Sequence, residues 1–115
     1  MGRMGKRMLT KEDITLLFLK DPSELRLAII RGKIPKSDEI RTLICEFGDP
    51  KCAYEYANYI DQGPHPETRT VACKSSPRAY WYAKYIDQRP IYETRSAAYK
   101  DVEWGNFYRE WINSY

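Results

Sequence analysis

The chain repeats itself every 26 residues, and that period constrains its fold more than any other feature. Ala-Tyr-Glu-Tyr-Ala-Asn-Tyr-Ile-Asp-Gln begins at Ala53, and Ala-Tyr-Trp-Tyr-Ala-Lys-Tyr-Ile-Asp-Gln begins at Ala79. Between Ala53–Lys74 and Ala79–Lys100, 14 of 22 positions are identical. A fixed period of this size is the mark of stacked units that hide their apolar faces only against one another. Weaker copies flank the two clear ones. Downstream, Tyr108 falls under Tyr82, Trp111 under Tyr85 and Ile112 under Ile86; upstream, Leu25-Arg26-Leu27-Ala28 falls under Tyr54-Glu55-Tyr56-Ala57.

Capping residues and prolines punctuate the pattern. Asp21-Pro22, Asp49-Pro50 and Ser76-Pro77 each set a side-chain acceptor before a proline, which gives up an N–H that has no partner at a helix start. Asp101 keeps the cap in the last unit, and Thr10 with Asp13 resembles a capping box. Gln62-Gly63-Pro64 and Gln88-Arg89-Pro90 stop the preceding helices. The pattern predicts an all-α fold, a single right-handed α-solenoid-like array of about eight short helices. Their expected spans are 10–20, 22–31, 37–46, 50–61, 66–74, 77–87, 92–100 and 102–113. Residues 1–9 are expected to form a flexible basic tail before a repeat domain over 10–115. Within it 10–20 is an N-terminal cap, and the units cover 21–48, 49–75, 76–101 and 102–115.

Ala53, Tyr56, Ala57 and Ile60 lie on one helical stripe, as do Ala79, Tyr82, Ala83 and Ile86. Small alanines let helices approach closely while the rings fill the space beside them. Arg109 takes the alanine position in the last unit, as suits a terminal cap whose outer side faces water. Glu55 lies opposite the stripe, so Trp81 at the same repeat position is expected outside the core.

Charge restricts the partners. Arg3, Lys6 and Arg7 are the only charged residues among the first ten; from Lys11 onward 16 Lys/Arg balance 16 Asp/Glu. All of the net +3 resides in the tail, which weakens a general nucleic-acid reading, since phosphate binding needs concentrated cations. The longest clean apolar run, Ile14–Leu19, is far below the ~20 residues that cross a membrane. Charges just before it argue against a signal peptide, and Lys6 stands where a myristoylation motif needs Ser or Thr. Cys45, Cys52 and Cys73 show no metal-ligand spacing and read as free thiols in a reducing cytoplasm. No metal or cofactor is expected.

Catalysis finds little support. His65 is the only histidine, it sits between Pro64 and Pro66, and its counterpart is Ile91. A Cys73–His65 nucleophile pair would lack an orienting group. Asp61 and Asp87 recur at the unfavourable negative ends of their helices, and Arg69 and Arg95 recur at one offset from them. This predicts Asp–Arg bridges, either within each hairpin or as a ladder between hairpins. Glu67 and Arg69 are two apart on a helix, so they should contact different neighbours.

Function should be written where the copies differ. The third unit has Arg78 for Cys52, Trp81 for Glu55, Lys84 for Asn58, Arg89 for Gly63 and Tyr92 for Pro66. Arg78, Trp81, Lys84, Tyr85 and Gln88 are spaced as one ridge, Arg89 and Tyr92 lie beyond it, and such residue types dominate interface hot spots. Trp81 could instead pack under the C-terminal helix, beside Trp104 or Trp111.

The Ala-Tyr-x-Tyr-Ala-x-Tyr-Ile unit, followed by proline and a Glu-containing second helix, resembles short Tyr/Ala-rich helical repeats of uncharacterised bacteriophage, giant-virus and bacterial proteins. Residues 21–112 carry the resemblance, with a departure at Leu25 and Leu27, where tyrosines are replaced. It implies a small phage-encoded accessory protein in the host cytoplasm, inhibiting or modulating a host protein or defence complex. A non-catalytic protein-binding module is the function expected. The alternative is a nucleic-acid-binding accessory protein that uses Arg3, Lys6 and Arg7 with stacking on Trp81. Self-association through the aromatic ridge is a third partner class.

Overall fold

A computed structural model describes residues 7–114, and these residues form eight helices with no strand. The helices are α1 (Lys11–Lys20), α2 (Pro22–Ile30), α3 (Asp38–Phe47), α4 (Pro50–Glu55), α5 (Pro66–Ala72), α6 (Ser76–Trp81), α7 (Tyr92–Ala98) and α8 (Val102–Ser114). Two π-helical turns, π1 (Tyr56–Asp61) and π2 (Tyr82–Asp87), continue α4 and α6. The molecule measures 53 × 24 × 21 Å. Along it α2 packs on α4, α4 on α6 and α6 on α8, while α3 lies between α1 and α5.

The predicted starts hold in chemistry and in most positions. Thr10 and Asp13 form a reciprocal capping box, and Asp21 and Asp49 accept backbone N–H groups ahead of their prolines. Such caps contribute ~1 kcal/mol each. At α6 the cap is one residue earlier than expected. Ser75 caps the helix, while the Ser76 hydroxyl donates to the Ala97 carbonyl at 2.9 Å. Leu9, placed by the sequence in the tail, packs against the first core cluster, and its N–H bonds the Lys33 carbonyl at 3.0 Å.

The expected spans 50–61 and 77–87 are helical throughout but change type halfway. From Tyr56 and Tyr82 the bonds widen to the π pattern, and the Ala57 and Ala83 carbonyls accept from Gln62 and Gln88 five residues on. Gln62 (φ 54°) and Gln88 (φ 59°) then close both turns in the left-handed region, unusual for residues with a side chain. The widened turns bring Asp61 and Asp87 inward. Asp61 takes a two-pronged bond from Arg41 (2.8 and 3.0 Å), and Asp87 takes one from Arg69 (3.0 and 2.7 Å). These are bridges between hairpins, the ladder form of the expectation.

A second ladder runs along the other helices. Glu39, Glu67 and Glu93 accept from Lys11, Thr42 and Thr70 of the preceding unit. Glu67 thus faces backward and Arg69 forward, as their two-residue spacing requires.

The third recurrent contact explains the tyrosines. Tyr56, Tyr82 and Tyr108 are fully buried, and each hydroxyl enters the loop before the preceding unit's second helix. His65 and Ile91 stand at the N-cap of α5 and α7 with no side-chain cap bond. The tyrosine binds the backbone of the cap residue itself instead. Tyr82 Oη accepts the His65 N–H at 3.0 Å and lies 2.7 Å from Thr68 Oγ1. Tyr108 repeats this with Ile91 and Thr94.

Candidate partner-binding surface

The edge formed by the first helices of the units, α2, α4, α6 and α8, carries Arg26, Glu55, Trp81 and Phe107 at equivalent repeat positions. The sequence places Glu55 on the water side. It is instead 6% exposed, because each first helix lies between two others and buries both flanks. Arg26 holds Glu55 through two bonds of 3.0 and 2.7 Å. One unit later no carboxylate occupies that position, and Trp81 begins an aromatic row. Its ring lies 6.2 Å from Tyr54 and 5.5 Å from Trp104, and Trp104 lies 5.1 Å from Phe107. Trp81 is therefore half-buried beside Trp104, not fully outside the core.

Arg78 lies across this row. Its guanidinium carbon is 4.6 Å from the Trp81 ring centre and 5.9 Å from that of Tyr54. Burial lowers the pKa of Arg78 from its ordinary value, and the Arg26 cation acts in the same direction. An arginine nonetheless stays charged across ordinary pH.

The rest of the expected ridge divides into two further groups. The Lys84 ammonium lies 5.6 Å over Tyr80 and 5.5 Å over Tyr85, and donates to the Tyr80 hydroxyl at 3.3 Å. Tyr80 in turn packs on Trp104, Phe107, Tyr108 and Trp111 of α8. Gln88 and Arg89 in the hairpin loop and Tyr92 at the start of α7 are all exposed, Tyr92 at 76%, and Tyr85 in π2 is 54% exposed. A cleft of about 290 Å³ opens there between π1 and π2, lined by Asn58, Gln62, Tyr85 and Gln88 among others. The sequence points to Trp104 only as a packing partner for Trp81, and it does not reveal the places of Tyr54 and Arg26 on this surface. The repeat held the signal for Trp104, which stands 26 residues after Arg78.

The groups considered for other chemistry are occupied elsewhere. Burial pushes the Cys45, Cys52 and Cys73 thiols up to about 12, which leaves them protonated and weakly nucleophilic at neutral pH. The Cys73 thiol points to the Glu93 carbonyl (3.7 Å), and the His65 imidazole lies 3.9 Å from Asp61. Among the described residues, no three His, Cys, Asp or Glu side chains gather to hold a metal. No helix of the described residues is long and apolar enough to cross a membrane. Arg7 lies 3.6 Å from Asp13, and Arg3 and Lys6 fall outside the described residues.

Comparison with protein-family models, curated proteins and solved structures finds no match.

Proposed function

We propose that this chain is a non-catalytic protein-binding module, a right-handed α-solenoid-like array whose docking surface is the aromatic edge of its first helices. The observation that supports this is the continuous row Tyr54–Trp81–Trp104–Phe107 with Arg78 laid across it. The recurrent tyrosine, Arg–Asp and Glu–Thr contacts hold the units together, whereas this row, which also packs α4, α6 and α8 against one another, does not recur. Trp, Tyr and Arg dominate binding energy at protein interfaces. The exposed Tyr85, Arg89 and Tyr92, with Lys84 and Gln88, extend the surface toward the hairpin loop. By its resemblance to phage repeats, the module is a small inhibitor or modulator of a host protein or defence complex in the host cytoplasm.

The test is capture from host lysate by wild type, Trp81→Ala and Tyr85→Ala/Tyr92→Ala, with folding checked by helical circular dichroism. Binding that is lost in Trp81→Ala and insensitive to moderate salt supports the module. A nucleic-acid accessory protein using Arg3, Lys6 and Arg7 would instead bind single-stranded DNA with steep salt dependence. That result would overturn the proposal.

A further inference from the structure

Four arginines of the described residues lie half-buried or deeper: Arg26, Arg41, Arg69 and Arg78. Three of them grip a carboxylate with two prongs, on Glu55, Asp61 and Asp87 respectively. Arg78 grips none. Its Nε is buried and without a hydrogen-bond partner. The two carboxylates that act on it are engaged elsewhere, Glu55 by Arg26 and Asp49 by the N-terminus of α4. Arg26 alone touches the buried Glu55 carboxylate, whose charge also reaches Arg78. An orphaned donor next to aromatic rings is an unfavourable arrangement for the free chain.

Resting on the protein-binding reading above, we propose that Arg78 is the receptor for a carboxylate, an Asp, Glu or C-terminal group, carried by the partner protein. A guanidinium also meets a carboxylate end-on, in two parallel bonds from its two Nη atoms, and at Arg78 these are the reachable donors because Nε is buried. The rings of Trp81 and Tyr54 lie against the guanidinium and shield it, which strengthens a charged hydrogen bond. The partner's side chains beside that carboxylate would lie along Trp104 and Phe107. The site therefore fits an acidic residue next to an apolar one.

Sodium benzoate serves as the probe, followed by the arginine Nε–H and tryptophan indole N–H signals in nitrogen-edited NMR. Benzyl alcohol and inorganic phosphate are the comparison arms. Benzoate should move the Arg78 and Trp81 signals together and saturably, with Arg89 and Arg31 unmoved. Arg78→Lys, which keeps the charge and loses the fork, should weaken benzoate at least ~5-fold. Equal shifts at all arginines, saturation by phosphate alone, or an unchanged affinity in Arg78→Lys would each overturn the assignment. A second measurement needs no ligand. Arg78→Met should leave the melting temperature unchanged or raise it, whereas Arg26→Met should lower it; a clear loss in Arg78→Met would mean that the side chain serves the free fold. Should Trp81→Ala lose the captured protein while Arg78→Gln keeps it, the carboxylate receptor fails and the docking surface stands. Benzoate saturation without any captured protein would keep the receptor and remove the wider function.

Discussion

The hydroxyl oxygens of Tyr82 and Thr68 lie 2.7 Å apart in the core, and those of Tyr108 and Thr94 repeat the contact at 2.8 Å. The pair accounts for tyrosine where phenylalanine would fill the same volume. Tyr82→Phe would leave the His65 N–H and the Thr68 hydroxyl without their shared partner, a loss of about 1–3 kcal/mol. A urea titration should show a lower midpoint with an unchanged slope. In a double-mutant cycle with Thr68→Val, the two losses should fall short of adding. Simple additivity would show that the contact is not coupled.

Arg69 and Asp87 should behave as a unit. Their side chains are 16% and 1% exposed, so Arg69→Met strands a buried carboxylate and should destabilise by about 3 kcal/mol. For a domain of this size that lowers the melting temperature by roughly 10 °C. The combined Arg69→Met/Asp87→Leu change should recover most of the loss, because it removes both charges together. A melting point unaffected by Arg69→Met would refute the ladder as a structural element.

Alkali should unfold the protein early. Burial raises the pKa of Tyr56, Tyr82 and Tyr108 above their ordinary value, and that of Tyr54 to about 12. A raised tyrosine keeps its proton in the fold after the unfolded chain has lost it. Stability is then fully present below the unfolded value of about 10 and falls as pH rises through and above it. Denaturation midpoints measured alongside phenolate absorbance should fall together across that window. Phenolates that all appear at the ordinary pKa with the fold intact would contradict the burial.

Gln62 carries its left-handed backbone (φ 54°) with a side chain attached. A left-handed residue other than glycine is strained by about 1–2 kcal/mol, and glycine removes this while loosening the unfolded chain. Gln62→Gly should therefore stabilise by about 0.5 kcal/mol in thermal denaturation. Destabilisation instead would mean that the side chain contributes to the cleft beside π1.

The helices and their order were legible because caps, prolines and stripe residues act locally. The Arg–Asp ladder was legible in part: the recurrence pointed to Asp61, Asp87 and Arg69, but also to Arg95, which is exposed, and not to Arg41, which holds Asp61. The burial of Glu55 was not, since a single-stripe reading gives a helix one inner face while α4 has neighbours on both flanks. The π turns were invisible for a related reason. Nothing in Tyr-Ala-x-Tyr-Ile-Asp breaks an α-helix by itself; the wider turn goes with long-range bonds from Arg41 and Arg69 to the closing aspartates. On the candidate surface the residue types were readable, but one ridge became three groups. Spacing counted along a uniform helix does not survive the change at Tyr82.

The tyrosine clasp has a direction. Tyr56 reaches back to the start of α3, Tyr82 to the start of α5 and Tyr108 to the start of α7. On the ribosome, each of these helices emerges before the ring that clasps its N-terminal loop has been made. The closing of each unit during synthesis should therefore wait on the next one, and a nascent chain halted before Tyr108 should protect α7 less than the second helices of the earlier units.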